Sequence, residues 1–365
     1  MNNCNLDELT KKLPFIPDIF ISCISFEKRC LSVPIALKEL NIRFPILFQV
    51  EEFISSSTDN KIMLDVIFNN NFNVVFSIKK PIDFVDKFID KLDEIINIID
   101  NPKIVIDITT FTRDSLLMLI GILYQRSHLI GDLCFLYAPA KTMSNEWLSR
   151  GFRGLRSVLG YPGERSSLKP LHIVVMTGFE IERTKYIVDE YEPELISIGM
   201  GSSKESINPD FYSRNRKFVD ELLSQYDETR IKQFEFSLID PFKTIEALEK
   251  HIDMFSAYNT VIAPLNNKIS TIGAALYALK HQEIQICYLP AEEYNTKDYS
   301  ESGDLVYFGE IEFSEIKENL SLSLNVSVGE RIPLKTHSGP VAIDIDPLQM
   351  ENNLTSSIAT RLGVE

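Results

Sequence analysis

The stretch "TVIAPLNNKISTIGAALYALK", residues 260–280, decides the fold. It starts as a short apolar run with β-branched residues, typical of a buried strand, and continues as an apolar run of helical length. Asn266, Asn267 and Lys268 separate the two runs. A buried strand followed at once by a buried helix predicts a β-α-β unit of a parallel sheet, with three polar side chains at the junction.

A similar pattern occurs earlier in the chain, as "VIDITTFTRDSLLMLIGIL" at residues 105–123. Three further pairs of segments match in the same order: "SFEKR" (25–29) with "GFEIER" (178–183), "VFSIKKPIDFVDKFIDKLDEI" (75–95) with "EFSLIDPFKTIEALEKHIDMF" (235–255), and "DLCFLYAPA" (132–140) with "IQICYLPAE" (284–292). An ordered set of matches indicates an internal duplication. The alternative is that all such strand-helix units resemble one another.

Strand candidates alternate with helical patterns through both copies, which predicts an α/β fold. We expect two tandem Rossmann-like domains with mostly parallel sheets, which form a pseudo-dimer within one chain. The first domain spans residues 1–165 and includes a linker helix, and the second spans 168–312. Residues 313–365 have little periodicity and are predicted to form a C-terminal extension or partner-contacting arm. With the strand order 3-2-1-4-5, the loops after strands one and four would meet at a ligand-binding crevice.

The composition restricts the classes of function. The 365-residue chain has a net charge of −15, which opposes non-specific DNA binding because such binding depends mainly on neutralised phosphates. Its first residues contain no apolar signal segment, and no apolar run is long enough to span a membrane. The five cysteines have no paired spacing and three lie in strand-like runs, which indicates a reduced, cytoplasmic protein.

The loops after the fourth strands carry polar and cationic side chains in both copies. These residues are Thr110, Thr112 and Arg113 in the first copy and Asn266, Asn267 and Lys268 in the second. A strand-to-helix junction presents free backbone N–H groups at a helix N-terminus, which favours an anion. We therefore expect these residues to bind a phosphate or the edge of a nucleobase. The alternative is ordinary capping of the following helices by Thr and Asn.

The loops after the first strands are also polar. They contain Ser25, Glu27 and Arg29 in the first copy, and Thr177 and Glu180 in the second. Because the first and fourth strands are expected to be neighbours, these side chains should face the fourth-strand loops across the crevice and contact the ligand. The alternative is a capping motif with a surface Glu–Arg pair, which contributes little to stability.

The segment between the copies contains a cluster of arginines. Arg150, Arg153 and Arg156 are spaced three apart, so a linker helix would place them on one face. In so acidic a chain, we expect Arg153 and Arg156 to bind an anionic ligand or an acidic partner. The alternative is that they form salt bridges with carboxylates of the same chain.

Common catalytic and cofactor motifs do not occur in this sequence. The five histidines are scattered without metal-ligand spacing, and there is neither a Walker motif nor a nucleophile elbow. We therefore predict no metal, no cofactor and no catalytic residue. Asp107, at the end of the fourth strand of the first copy, is interpreted either as a functional carboxylate or as a residue that orients Thr110 or caps the next helix.

Each copy resembles a CARF domain, the CRISPR-associated Rossmann-like sensor fold, and more loosely the fused halves of SAVED domains. The resemblance rests on the strand order and on two loop positions: a small polar residue after strand one, and a small-polar-x-Lys/Arg turn after strand four. Ser25 and "TFTR" (110–113) match these positions in the first copy, and Thr177 and "NNK" (266–268) match them in the second. Neither copy has the glycine-threonine-lysine turn that such domains often show.

The resemblance implies a function. CARF proteins usually form dimers that bind a cyclic oligonucleotide across the two-fold axis, and some cleave it. We expect a subunit that binds a nucleotide-derived ligand, such as a second messenger in prokaryotic antiviral defence, and acts on a separate effector chain; a homo-oligomer is compatible with this role. Two alternatives stay open. One is an enzyme that cleaves or modifies a nucleotide or phosphodiester, as a ring nuclease does, and the other is an assembly subunit with a vestigial crevice.

Overall fold

The computed structural model describes residues 1–152 and 154–313, and these form an α/β fold with largely parallel sheets. The five cysteines are all buried and unpaired. Within the described ranges, no helix has both the length and the apolar character needed to cross a membrane. The C-terminal extension expected from residue 313 lies, apart from its first residue, outside the described part of the chain.

The described residues contain nine α-helices, several of which are short. They are α1 Leu9–Lys12, α2 Ser32–Leu37, α3 Thr58–Ile67, α4 Pro81–Ile96, α5 Arg113–Gln125, α6 Ile181–Tyr191, α7 Pro209–Leu223, α8 Pro241–Ile252 and α9 Lys268–Lys280. Three of them begin with proline, whose missing N–H is not needed in the first turn of a helix.

The same ranges contain seventeen strands. In chain order they are β1 Asn2–Asn5, β2 Ile19–Ile24, β3 Phe44–Val50, β4 Phe72–Phe76, β5 Ile104–Asp107, β6 Leu133–Tyr137, β7 Ala140–Met143, β8 Ser149–Phe152, β9 Arg156–Pro162, β10 Leu171–Met176, β11 Leu195–Gly201, β12 Ile231–Phe236, β13 Asn259–Pro264, β14 Gln285–Tyr288, β15 Ala291–Tyr294, β16 Ser300–Ser302 and β17 Leu305–Glu310. All residues of β2, β3 and β11 are buried, as expected for strands covered on both faces.

Two sheets dominate the fold, and their central strands follow one another in the same order. The first sheet has the order β1-β17-β6-β5-β2-β3-β4, and the second has the order β12-β11-β10-β13-β14-β9. Numbered within each half of the chain, the five parallel strands of both sheets run 3-2-1-4-5. This order confirms the one on which the predicted crevice depends, since strands one and four are neighbours in each sheet.

Each half of the chain completes the sheet of the other half. Strand β9, which follows the first five parallel strands, pairs antiparallel with β14 of the second sheet, and β17, near the end of the described chain, pairs antiparallel with β6 of the first sheet. Two small antiparallel pairs, β7 with β16 and β8 with β15, repeat the exchange between the sheets. The two sheets are therefore joined by reciprocal strand pairing.

The predicted linker helix is wrong. Residues 149–152 form β8 and residues 156–162 form β9. The segment contains Gly151, Gly154 and Gly160, all with positive φ, a conformation that glycine adopts more readily than any other residue. Three glycines within ten residues also disfavour a helix, because each loses more conformational entropy there than alanine does.

Helices α5 and α9 occupy the centre of the molecule and pack against each other. Both are buried on every side: the ten residues 114–123 of α5 and the ten residues 269–278 of α9 are all buried. One continuous apolar core contains side chains of both helices and both sheets, including Phe48, Phe111, Ile262 and Ile272. A helix that is apolar all round is expected to be surrounded by protein, which is what these two sequences predict.

Candidate functional site

A cavity of about 100 Å³ lies where the loops that follow the parallel strands of both sheets meet, and we call it the central cavity. It is lined by polar and charged residues from both halves, namely Glu27, Arg29, Thr109, Arg113, Glu180, Asn215, Asn266, Asn267 and Lys268. Aromatic residues complete its wall, namely Tyr137, Phe179, Phe211, Tyr212 and Tyr299. The predicted crevice is therefore a single, partly open cavity shared by the two sheets.

Arg113 and Lys268 occupy matching places at the cavity. Arg113 is the first residue of α5 and Lys268 is the first residue of α9, each directly after a capping side chain. The caps are Thr112, whose Oγ1 accepts a hydrogen bond from the N–H of Ser115, and Asn267, whose Oδ1 accepts one from the N–H of Ser270. Capping was the alternative role for Thr112 and Asn267, and the structure shows both in it.

The two fourth-strand loops contact each other across the cavity. The Nε atom of Arg113 donates a hydrogen bond of 2.7 Å to the backbone carbonyl oxygen of Asn266. The side chain of Asn266 donates to the Thr177 carbonyl and accepts from the N–H of Asn267, while the Asn267 amide nitrogen donates to the Leu238 carbonyl. These amides thus hold the loop in shape, and their hydrogen-bonding groups are already engaged.

Lys268 differs from the other charged residues of the cavity because, among the described residues, its amine has neither an ion-pair nor a hydrogen-bond partner. Burial lowers the pKa of Lys268 to about 7, with Arg113 contributing in the same direction and Glu27 in the opposite one. Burial disfavours the charged form of an amine, and a neighbouring cation disfavours it further. Lys268 is therefore poised to change its charge near neutral pH.

A buried ion pair closes one side of the cavity. Arg29 contacts Glu27 at 2.6 Å, and both side chains are more than nine-tenths buried. Ser300, on β16, accepts a hydrogen bond of 3.0 Å from Arg29 Nε and donates one of 2.5 Å to Glu27. Arg29 also donates to the Ala138 carbonyl. The first-strand loop is thus tied to a strand from the other half of the chain.

A second buried ion pair has the same construction in the second half. Arg183 contacts Glu180 at 3.1 Å. Ser149, on β8, donates a hydrogen bond to Glu180 and accepts one of 2.9 Å from Arg183. In each half, the Glu–Arg pair is bound by a serine that comes from the other half of the chain. Both halves therefore support the cavity in the same way. The Glu–Arg pairs, which the alternative placed on the surface, are in fact buried.

Two asparagines hold the first-strand loops in place. Asn60, on α3, donates to the Ser25 and Glu27 carbonyls, and Asn215, on α7, donates to the Thr177 and Gly178 carbonyls. Asn215 is 3% exposed and lines the cavity, yet its Oδ1 has no hydrogen-bond partner. An unpaired buried acceptor is unfavourable unless a donor reaches it. Asn215 therefore has room for one donor from a ligand.

Three predicted ligand contacts lie behind the cavity wall. The Ser25 hydroxyl accepts from the N–H of Glu27, the Thr110 hydroxyl donates to the Cys23 carbonyl, and the Thr177 hydroxyl donates to the Gly199 carbonyl. All three residues are buried and none of them is among the residues that line the cavity. Their short polar side chains bond to backbone groups at the strand ends.

Asp107 also has a structural environment. It is buried, its carboxylate accepts from the Ser22 hydroxyl at 3.3 Å and from the N–H of Thr109 at 3.1 Å, and it does not line the cavity. Burial raises the pKa of Asp107 to about 6, against the opposing effect of these hydrogen bonds. It thus orients the loop through Thr109 and not, as predicted, through Thr110.

The arginine cluster does not act as a unit. Arg156 forms an ion pair of 2.6 Å with Asp114 in the first turn of α5, and it does not line the central cavity. Arg150 stacks over the ring of Trp147 and lies 3.9 Å from Glu293. Arg153 lies outside the described residues. For Arg156, the alternative of a salt bridge within the chain is the arrangement that the structure shows.

Sequence reasoning missed the aromatic wall and Asn215. Tyr137 and Tyr299 come from β6 and from the turn before β16, which are distant in sequence and carry no motif. Asn215 lies on α7, a helix that the sequence pattern did not predict. One signal was available: "GFE" and "SFE" both place a phenylalanine next to the glutamate, and Phe179 does line the cavity.

No protein-family model matches this chain, and no curated protein matches it either. Among residues 1–152 and 154–313, no three histidine, cysteine, aspartate or glutamate side chains are grouped so that they could hold a metal ion. Among the described residues, the site provides two cations without a carboxylate partner, an unpaired amide oxygen and several aromatic rings, all lining one cavity.

Proposed function

We propose that this chain binds a nucleotide-derived anionic ligand in the central cavity. The observation that carries the proposal is that Arg113 and Lys268, at the first positions of two central helices, both line the cavity and have no carboxylate partner among the described residues. Two uncompensated cations in a poorly solvated space favour an anion. The N-terminal ends of α5 and α9 add to the same positive potential.

The walls of the cavity suit the remainder of a nucleotide. Tyr137, Phe179 and Tyr299 offer aromatic faces, on which bases of any sequence can stack. Asn215 Oδ1 can accept a hydrogen bond from a sugar hydroxyl or from a base amino group. Small-molecule sites are usually lined by hydrophobic and aromatic side chains together with a few convergent polar groups.

The wider role follows the resemblance to CARF and SAVED domains. We propose that the two halves are tandem Rossmann-like units forming a pseudo-dimer, which is supported by the shared strand order and the matching ion pairs. In that role, the ligand is a second messenger of an antiviral response and the output passes to a separate effector chain. The reciprocal strand pairing supports this view, because a ligand between the sheets contacts both halves at once.

The test begins with the ligand itself. Protein purified under native conditions should release a nucleotide-derived compound that mass spectrometry of the extracted small molecules identifies. That compound should bind the Lys268→Gln variant about ten- to a hundredfold more weakly in a calorimetric titration, since a charge-assisted contact is lost. Lys250→Gln, which removes an exposed lysine of α8, is the matched control and should bind as the wild type does. If Lys268→Gln bound the compound as tightly as the wild type does, the central cavity would not be its binding site.

A second candidate function is an enzyme that cleaves or modifies a nucleotide or phosphodiester. It is favoured by Lys268, because an amine with a pKa near 7 is partly neutral at physiological pH and can accept a proton or stabilise developing charge. Chromatography after incubation with cyclic and linear nucleotides separates the two functions. A binding protein returns the nucleotides unchanged, whereas an enzyme forms product and loses turnover in Lys268→Gln.

A further inference from the structure

The charges that line the central cavity do not sum to zero. Glu27 is neutralised by Arg29, and Glu180 is neutralised by Arg183, which lies behind the wall. Arg113 and Lys268 remain, and no carboxylate of the described chain pairs with either of them. With both residues protonated, the cavity therefore holds two positive charges that the protein itself does not balance.

The donors of Arg113 are only partly used. Its Nε atom donates to the Asn266 carbonyl, and no hydrogen bond occupies its two terminal nitrogens among the described residues. A guanidinium with free terminal nitrogens can bind two oxygens of one phosphate side by side. Lys268, whose amine has no partner among the described residues, contributes a third donor group to the same cavity.

The size of the cavity limits what these donors can hold. The cavity measures about 100 Å³, and a single water needs about 10–15 Å³. The space beside the two cations therefore admits a compact anionic group such as a phosphate.

Building on the proposed function, we infer that the group bound between Arg113 and Lys268 is a terminal phosphate monoester, as found in a mononucleotide, and not the phosphodiester of a cyclic nucleotide. A monoester carries close to two negative charges above its second pKa of about 6, so it balances both cations. A diester carries one and leaves one cation uncompensated in a poorly solvated site.

The titration of Lys268 supplies an independent measurement of this arrangement. The charged groups that act on it are Arg113 and Arg29, which disfavour its proton, and Glu27, which acts in the opposite direction. Because its pKa is lowered to about 7, the amine of the free protein is mostly neutral at pH 8. A dianion favours the charged amine, so its binding at pH 8 takes up a proton.

The experiment compares each 5′-mononucleotide with its 3′,5′-cyclic form by calorimetric titration of the full chain at pH 8. Each pair shares its base and sugar. The two members differ in the phosphate, which is a monoester in the 5′-mononucleotide and a diester in the cyclic form. For at least one base, the 5′-mononucleotide should bind about ten- to a hundredfold more tightly than the cyclic form, which corresponds to one charge-assisted contact. Repeating the titration in two buffers of different ionisation enthalpy should show uptake of close to one proton.

Two variants make the result specific. Lys268→Gln should remove both the preference for the mononucleotide and the proton uptake, while Lys250→Gln should keep both. A cyclic nucleotide that binds as tightly as its linear counterpart, or a mononucleotide that binds without proton uptake, overturns this inference and leaves nucleotide binding intact. Failure of every cyclic and linear nucleotide to bind overturns the proposed function itself. A melting curve of Lys268→Gln like that of the wild type shows that the variant is folded.

Discussion

At the scale of single residues, this protein buries many polar groups and pairs nearly all of them. Arg29 and Arg183 each have a carboxylate and a serine hydroxyl as partners, and breaking such a buried pair costs about 3–5 kcal/mol. Among the described residues, neither Arg113 nor Lys268 has a carboxylate partner, whereas the other charges of the cavity are paired. These two cations therefore remain available to a ligand.

A second buried cluster lies in the second sheet, around Ser197. His172 Nε2 and His251 Nε2 both lie 2.7 Å from the Ser197 hydroxyl, and His172 Nδ1 lies 3.3 Å from Thr260. A hydroxyl has one proton to donate and lone pairs to accept, so one imidazole accepts from Ser197 and the other donates to it. Burial lowers the pKa of His172 to about 3 and that of His251 to about 4. Both imidazoles are therefore neutral in the folded protein.

This cluster predicts a loss of stability in mild acid. The unfolded chain binds protons at these histidines below about pH 6.5, whereas the folded protein does not until the pH approaches the lowered values. The contribution to the free energy of unfolding is thus complete above pH 6.5 and falls by roughly 1 kcal/mol per pH unit for each histidine below it. Urea denaturation at pH 5 and pH 7 measures the difference. The difference in the free energy of unfolding between pH 7 and pH 5 should be about half as large in His251→Gln as in the wild type.

His128→Gln is the control for this experiment, because His128 is exposed and lies outside the cluster. If His251→Gln lost stability between pH 7 and pH 5 as steeply as the wild type, the cluster would not be the source of the effect. Asp107 acts in the opposite direction: burial raises its pKa to about 6, so the folded protein binds its proton first.

At the scale of elements, helices α5 and α9 are buried to a similar extent, but neighbouring atoms lie closer to the backbone of α9. A Cβ on Gly273 of α9 would lie 2.6 Å from the Cβ of Thr244 and 2.8 Å from the Pro241 carbonyl oxygen, both at the start of α8. On Gly121 of α5, the nearest atoms would be those of Tyr161 at 3.6 Å, an ordinary contact. The absence of a side chain is required only in α9.

The same substitution should therefore have opposite effects in the two helices. Gly273→Ala should destabilise the protein by about 1–3 kcal/mol, because the backbone of α8 must move to admit the methyl group. Gly121→Ala should be neutral or stabilise it by up to about 1 kcal/mol, since alanine is the better helix former. Chemical denaturation of both variants measures the two changes, and equal changes would show that α8 does not constrain α9.

At the scale of the whole molecule, the pairing of β9 with β14 and of β17 with β6 determines how the chain folds. Both contacts join distant parts of the sequence, and β1 adds to the first sheet only through β17. Edge strands left without such partners expose unpaired backbone groups that promote association with other chains. Neither half can therefore complete its sheet without the other.

This interdependence predicts the behaviour of fragments. A fragment of residues 1–165 lacks β17 and leaves β9 without its partner strand, so alone it should aggregate or remain unfolded. The complementary fragment from residue 166 should behave in the same way. Co-expressed, the two should form a soluble complex with the circular dichroism spectrum of the intact chain. A first fragment that is monomeric and melts cooperatively would contradict the prediction.

The sequence alone predicted the parallel strands and the positions of Arg113 and Lys268, because these depend on local information. Short β-branched runs, helical apolar patterns and capping residues act within one segment of chain. The predicted crevice assumed the strand order 3-2-1-4-5, and both sheets have that order. The linker was misread as a helix because the spacing of its arginines outweighed its three glycines.

Only the tertiary structure decided which polar residues face the cavity and which support it. Ser25, Thr110 and Thr177 share their residue types with ligand-binding loops. However, the Ser25 hydroxyl accepts from a backbone N–H, and the hydroxyls of Thr110 and Thr177 donate to backbone carbonyls. Tyr299, Ser300 and Asn215 reach the site from segments far apart in sequence, brought there by strand exchange and helix packing. Such contacts depend on long-range pairing, which no local pattern encodes. For the same reason, the sequence could not show that Lys268 has no partner among the described residues.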